Sequence, residues 1–151
     1  MSRESGLHGM LTQQELIDLV QSGAIDTVAL VFTDHYGRFL GKRFDAEYFI
    51  HEVREHGGHA CNYLLTVDME MEPIQGYDYA SWQTGYGDFH LLPDWNTLRI
   101  ASWLERTALV ICNVYEENSP NRVAVAPRSI LLHQIEKAAE AGFTVMAGSE
   151  L

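Results

Sequence analysis

Basic charge is scarce in this sequence: 10 lysines and arginines stand against 21 aspartates and glutamates, a formal net charge of −11. Binding a nucleic-acid backbone needs a concentrated basic surface, so no DNA, RNA or anionic membrane partner is expected. Cysteine is nearly absent. Cys61 and Cys112 stand far apart in apolar segments and form no CxxC pair, which argues against a structural zinc site and for two buried thiols in a reducing compartment. The opening residues hold no signal-peptide core, and no apolar run approaches the ~20 residues that span a bilayer. Cytoplasm is the compartment expected. GxxxxGK[ST] and GxGxxG motifs are missing, so the chain has no standard phosphate cradle of its own. HExxH and a nucleophile elbow are missing too.

What is present suits one globular domain. The 151 residues are 46% hydrophobic and 21% charged. A chain of this size buries roughly 68–70% of its unfolded surface and needs no staple. Residues 1–10 read as a flexible leader. Thr12-Gln13-Gln14-Glu15 is a capping box ahead of an apolar-periodic helix that Ser22-Gly23 ends. Residues 27–32 read as a buried strand, Asp34-His35-Tyr36-Gly37 as a turn and 38–44 as the return strand of a hairpin. Asp45 caps a helix over 46–56, with Tyr48, Phe49 and Val53 as its buried face and Gly57-Gly58 as its stop.

Beyond it, 59–67 reads as strand. The segment 68–87 has no period of two or three and carries Tyr77, Tyr79 and Trp82. Loops longer than about 12–15 residues inside a compact domain are usually functional or disordered. Strands are expected over 88–92, 98–102 and 107–115. Pro127 starts a helix over 128–141 with Ile130, Leu131, Gln134, Ile135 and Ala138 on one face, and Gly142 stops it. Residues 143–147 begin a further strand, and the chain ends within it, so its end is read as a cut. The order of hairpin, helix and further strands predicts an α+β fold: a β-grasp-like mixed sheet packed on one main helix, with flanking helices.

His51, His56 and His59 lie close together with Glu52 and Glu55 between them, and His51 and Glu55 share a helical face. Gly57-Gly58 interrupts that face, which favours a solvated helix end over a metal site.

The remaining motifs carry meaning through their order. They are Phe32-Thr33-Asp34-His35-Tyr36-Gly37-Arg38 with Gly41-Lys42; Gly85-Tyr86-Gly87-Asp88; Leu92-Pro93-Asp94 with Thr97-Leu98-Arg99; Trp103 before Thr107-Ala108; Ala126-Pro127-Arg128; and Gly148-Ser149-Glu150-Leu151. Together, over residues 12–151, they resemble the N-terminal part of the glutamine synthetase family. The resemblance implies a β-grasp domain over 11–142, then the first strand of a catalytic domain over 143–151. It implies an ATP-dependent ligase joining glutamate to ammonia or an amine through a γ-glutamyl phosphate. ATP and Mg2+ or Mn2+ would serve the full-length enzyme, with none bound to this fragment, which alone would be inactive. Subunits would form a homo-oligomeric ring. The alternative is a non-catalytic β-grasp interaction module.

By the same resemblance Glu150 matches the first residue of a Glu-x-Glu metal motif; its other reading is a frayed terminal carboxylate. Asp78 matches the aspartate of a loop lent to the neighbour's amine site, with Trp82 as the following aromatic, although the family's Gly-Ser-Ser is replaced by Tyr79-Ala80-Ser81. Asp88, in Gly85-Tyr86-Gly87-Asp88, fits a family position better; its other reading is a turn-capping aspartate. The acidic stretch 68–72 and the aromatics resemble the branch acting on amines larger than ammonia, such as polyamines or ethanolamine. Packing within the loop or at a subunit interface is their other reading.

Overall fold

A computed structural model describes residues 8–150; most of the expected leader and Leu151 lie outside the described residues. β1 (Thr27–Thr33) buries Val28 through Phe32 without a break, so it demands cover on both faces. β2 (Phe39–Asp45) returns antiparallel, from Thr33 opposite Phe39 to Thr27 opposite Asp45. Gly37, at φ 78°, supplies the left-handed residue of the turn between them.

β3 (Gly58–Cys61), β4 (Asp88–Pro93), β5 (Arg99–Ile100) and β6 (Thr107–Glu116) complete one sheet. Its order is β2-β1-β6-β4-β3, with β5 also paired to β6. β6 runs parallel to β1, and the other named pairings are antiparallel. The fold is a mixed-sheet α+β domain, as expected.

α1 (Gln13–Gln21) starts where the capping box predicts. Thr12 Oγ1 accepts from the Glu15 amide at 3.2 Å, and the Glu15 carboxylate accepts from the Thr12 amide at 2.7 Å. Leu16 and Val20 enter the core. Asp45 accepts from the Tyr48 amide and starts the second helical stretch. That stretch is α2 (Ala46–Tyr48), a π-helical turn over Phe49–Val53, and α3 (Arg54–His56). The wider turn shifts the buried stripe: Phe49, Ile50 and Val53 are buried, whereas Tyr48, expected inside, is exposed.

The main core lies between the sheet and these helices. Phe32 and Phe89 meet edge to face at 5.1 Å, and Phe49 meets Trp95. Such pairs add about 0.5–1.5 kcal/mol beyond area burial. Ala29, Val31, Ala101 and Leu109 form a smaller cluster of their own.

Three expectations change. The strand foreseen over 59–67 stops at Cys61, because Asn62–Leu65 closes into a 3-10 turn. α4 (Pro127–Glu140) forms, but Ile130, Leu131 and Ile135 are exposed; Ser129, in its first turn, is the residue it buries. Residues 143–150 adopt no regular structure and stand exposed. Arg128 fixes the start of α4, donating to Asn113 at 2.8 Å and pairing with Asp94.

Candidate functional site

One end of the sheet gathers the turn at 34–38, the last residue of β3, the first of β4 and the last of β6. The antiparallel pairing sets Asp88 opposite Cys61 and Phe89 opposite Glu116. The long 66–87 connection lies here. From Asp68 to Asp88 it holds five acidic residues and no lysine or arginine.

The connection is two tight turns with an exposed bridge between them. The first spans 66–74. Val67 faces Pro73, and the Ile74 amide donates to the Thr66 carbonyl at 2.8 Å. At its tip the Asp68 carboxylate accepts from the Glu70 and Glu72 amides, both at 2.9 Å, and Met71 adopts φ 69°. The second turn spans 81–85, where Ser81 Oγ and Thr84 Oγ1 lie 3.0 Å apart and the Gly85 amide donates to the Ser81 carbonyl. Buried Ala80 and Ser81 root it. Asn62 and Gly87 then exchange two hydrogen bonds, of 2.8 and 3.2 Å, and deliver the chain into β4.

Asp78 sits on the exposed bridge between these turns. Its neighbour Tyr79 packs half-buried against the core. Burial, with the Glu116 carboxylate and the Cys61 thiol nearby, pushes the Tyr79 hydroxyl up to about 12. Asp78 is therefore tethered near the sheet end from which Asp88 projects, itself exposed. Trp82 is 74% exposed. Its ring meets Tyr86 at 5.5 Å, and Tyr86 meets Tyr63 at 5.9 Å, both edge to face. The Tyr86 hydroxyl is buried without a hydrogen-bond partner.

Arg38 and Asp34 hold the first turn in place. Asp34 is 2% exposed. Its carboxylate accepts from the Tyr36 and Arg38 amides and from Arg38 Nε at 2.7 Å. The rest of the Arg38 guanidinium donates to the Asp68 carbonyl at 2.9 Å and the Met69 carbonyl at 2.8 Å. Burial alone would raise the Asp34 carboxyl; the donors from Arg38 and Tyr36 outweigh it and hold the group below the usual carboxylate range. Asp34 and Arg38 share one turn motif in the sequence, but nothing in that motif signals the contact to Asp68.

Glu150 lies exposed on the irregular 143–150 segment. Among the described residues no group of three or more His, Cys, Asp or Glu side chains is arranged to hold a metal ion. The resemblance assigns the divalent metal to the full-length enzyme, to which this chain would bring Glu150. The histidines find other contacts. His51 lies 3.7 Å from Glu47, His90 bonds to the His56 carbonyl at 2.6 Å, and His59 stacks on His90 at 4.7 Å. Among the described residues no helix is long and apolar enough to cross a membrane.

Fold and site together define a small α+β domain that presents one acidic, aromatic loop at the end of its sheet. No family model matches the chain. It is 48% identical, over 139 residues, to the γ-glutamylethanolamide synthetase GlnA4 of Streptomyces coelicolor, covering 91% of this chain and 30% of that protein. It is 33% identical over 133 residues to a glutamate–isopropylamine ligase from Pseudomonas sp, covering 88% of this chain and 29% of that protein. A solved structure described as a GmaS/ADP complex shares the fold at a TM-score of 0.60 and 20% identity, over 83% of this chain and 26% of that one. The chain is thus a homologue of part of the γ-glutamyl-amine ligases of the glutamine synthetase type. It spans about 30% of the length of the curated relatives it matches.

Proposed function

We propose that this chain is the N-terminal domain of an ATP-dependent glutamate–amine ligase working through a γ-glutamyl phosphate, and that it lends the 68–87 loop to an amine site. The 48% identity to a γ-glutamylethanolamide synthetase across nearly the whole chain carries this reading. The sheet order supports a β-grasp assignment: an opening hairpin, a helical stretch, and the late strand β6 inserted parallel to β1.

A carboxylate is a poor electrophile, and phosphorylation makes its carbon attackable. An amine at neutral pH is mostly protonated, so it must lose a proton before it attacks. A carboxylate at the amine site pairs with the ammonium form and takes up that proton. Asp78 and Asp88 are the exposed acids here that suit the role, and Trp82 adds a cation–π surface. The amine is a small organic primary amine, of the class of ethanolamine and isopropylamine named for the two relatives.

ATP and Mg2+ or Mn2+ belong to the remainder of the protein, where Glu150 would join the metal ligands. The chain alone is inactive, since it holds neither a phosphate cradle nor an assembled metal site among its described residues. In the whole protein the loop lies at a subunit boundary of a cytoplasmic ring, facing the neighbour's amine pocket.

The test is glutamate-dependent ADP release by the full-length protein with ethanolamine, isopropylamine and ammonia. Turnover with an organic amine is expected. Asp78→Asn or Asp88→Asn should cut it at least about tenfold, equivalent to about 1.4 kcal/mol. Absence of amine-dependent turnover, or full activity in both variants, would contradict the reading.

A further inference from the structure

We propose that Arg38 is a positioning residue for amine use: by clamping the 66–74 turn to the β1–β2 hairpin, it sets where Asp78 stands. The inference rests on the reading above that the loop serves an amine site. Its support is geometric. The guanidinium spends all three of its nitrogens across two segments distant in sequence: Nε on the Asp34 carboxylate of its own turn, and the two terminal nitrogens on the Asp68 and Met69 carbonyls of the 66–74 turn. Asp34 is itself immobilised, buried and holding two backbone amides of its own turn. The clamp therefore joins the loop to a rigid strand end.

Only arginine has a planar fork able to satisfy a carboxylate and two diverging carbonyls together; lysine is a single point donor. The exposed bridge at 75–78 has the clamped turn on one side and the rooted residues Tyr79 to Ser81 on the other. Releasing the clamp frees one end of the bridge that carries Asp78. Asp88 is held separately by β4 and Asn62, so the clamp acts on one acid and leaves the other in place. A displacement of about 1 Å in a reacting group costs up to about 100-fold in rate, so a loosened bridge is enough to matter.

The test uses the full-length protein with Arg38→Ala, Arg38→Lys and the double change Asp34→Asn with Arg38→Ala. The double variant avoids leaving a buried carboxylate without its cation and keeps the fold testable. Amide hydrogen exchange over 66–75 and steady-state constants for amine, glutamate and ATP are measured on each, beside Asp78→Asn and Asp88→Asn.

The expected result is exchange at least about tenfold faster over 66–75 and an amine Michaelis constant raised about tenfold in the alanine variants. The glutamate and ATP constants should stay within about twofold, and Arg38→Lys should recover only part of the loss. Unchanged exchange overturns the clamp. Faster exchange with unchanged amine constants, while Asp78→Asn still impairs amine use, overturns the positioning role and leaves the amine-site reading standing. Amine use unaffected by Arg38, Asp78 and Asp88 changes alike overturns both.

Discussion

Gly57→Ala should be among the most damaging single-methyl changes in the molecule. Gly57 turns α3 into β3 with φ 73° and ψ −164°, a region that only glycine enters freely. A Cβ there would lie 2.4 Å from the Leu91 carbonyl oxygen and 2.7 Å from His90 Nε2. The carbonyl belongs to β4, so relief requires moving the strand whose register sets Asp88 opposite Cys61. Backbone strain contributes about 1–2 kcal/mol and overpacking about 1–3 more, for a total of about 4 kcal/mol. Gly76→Ala isolates the first contribution. Gly76 also has a positive φ, 95°, but nothing lies within 4 Å of its added Cβ. That change should cost about 1–2 kcal/mol. Urea unfolding of both variants, followed by circular dichroism, gives the difference directly. If the two losses agree within about 1 kcal/mol, the close approach to β4 does not hold and the reasoning fails.

Asp34 titrates below its ordinary value in the folded protein, so its contribution is complete above the unfolded carboxyl value and drains away as pH falls through the lowered folded value. Melting temperature should therefore drop below about pH 4, and Asp34→Asn should flatten that part of the profile; an unchanged profile counts against the clamp's electrostatics. Arg128 and Asp94 pair half-buried at the start of α4, so a double-mutant cycle with Arg128→Met and Asp94→Ala should return a coupling of about 1–3 kcal/mol. A value near zero would mean that α4 is held otherwise. Burial pushes the Cys112 thiol well up and seals it from solvent, whereas Cys61 is half-buried. Iodoacetamide should label Cys61 first under native conditions, as read by mass spectrometry; equal labelling would contradict the packing.

Local chemistry was legible in the sequence. The Thr12–Glu15 box, the Asp45 cap, Pro127 at the start of α4 and the hairpin turn are short-range devices, and each forms where the residues place it. What escaped depends on contacts far apart in the chain. The π-helical turn at Phe49–Val53 rotates Tyr48 outward, a choice made by packing against the sheet and not by spacing. Asn62–Leu65 is apolar enough to read as strand, yet Asn62 is drawn to Gly87 and turns the chain away from the sheet. The apolar residues of α4 promised a buried face, but they stand exposed among the described residues. The motifs holding Asp94 and Arg128 stand apart in the sequence, and only the fold joins them. Asp78, Asp88 and Trp82 stand out by resemblance; in the structure Asp78 and Trp82 lie on the 66–87 connection, Asp88 opens β4 at the same sheet end, and Arg38 reaches into the connection.

The most direct measurement is amine-dependent, glutamate-dependent ADP release by the full-length protein, comparing ethanolamine and isopropylamine with ammonia and repeating each assay with Asp78→Asn and Asp88→Asn. A glutamate–amine ligase whose loop serves the amine site predicts turnover with an organic amine. It also predicts at least about a tenfold loss in one aspartate variant, with glutamate and ATP constants little changed. No turnover with any amine, or undiminished turnover in both variants, would contradict it.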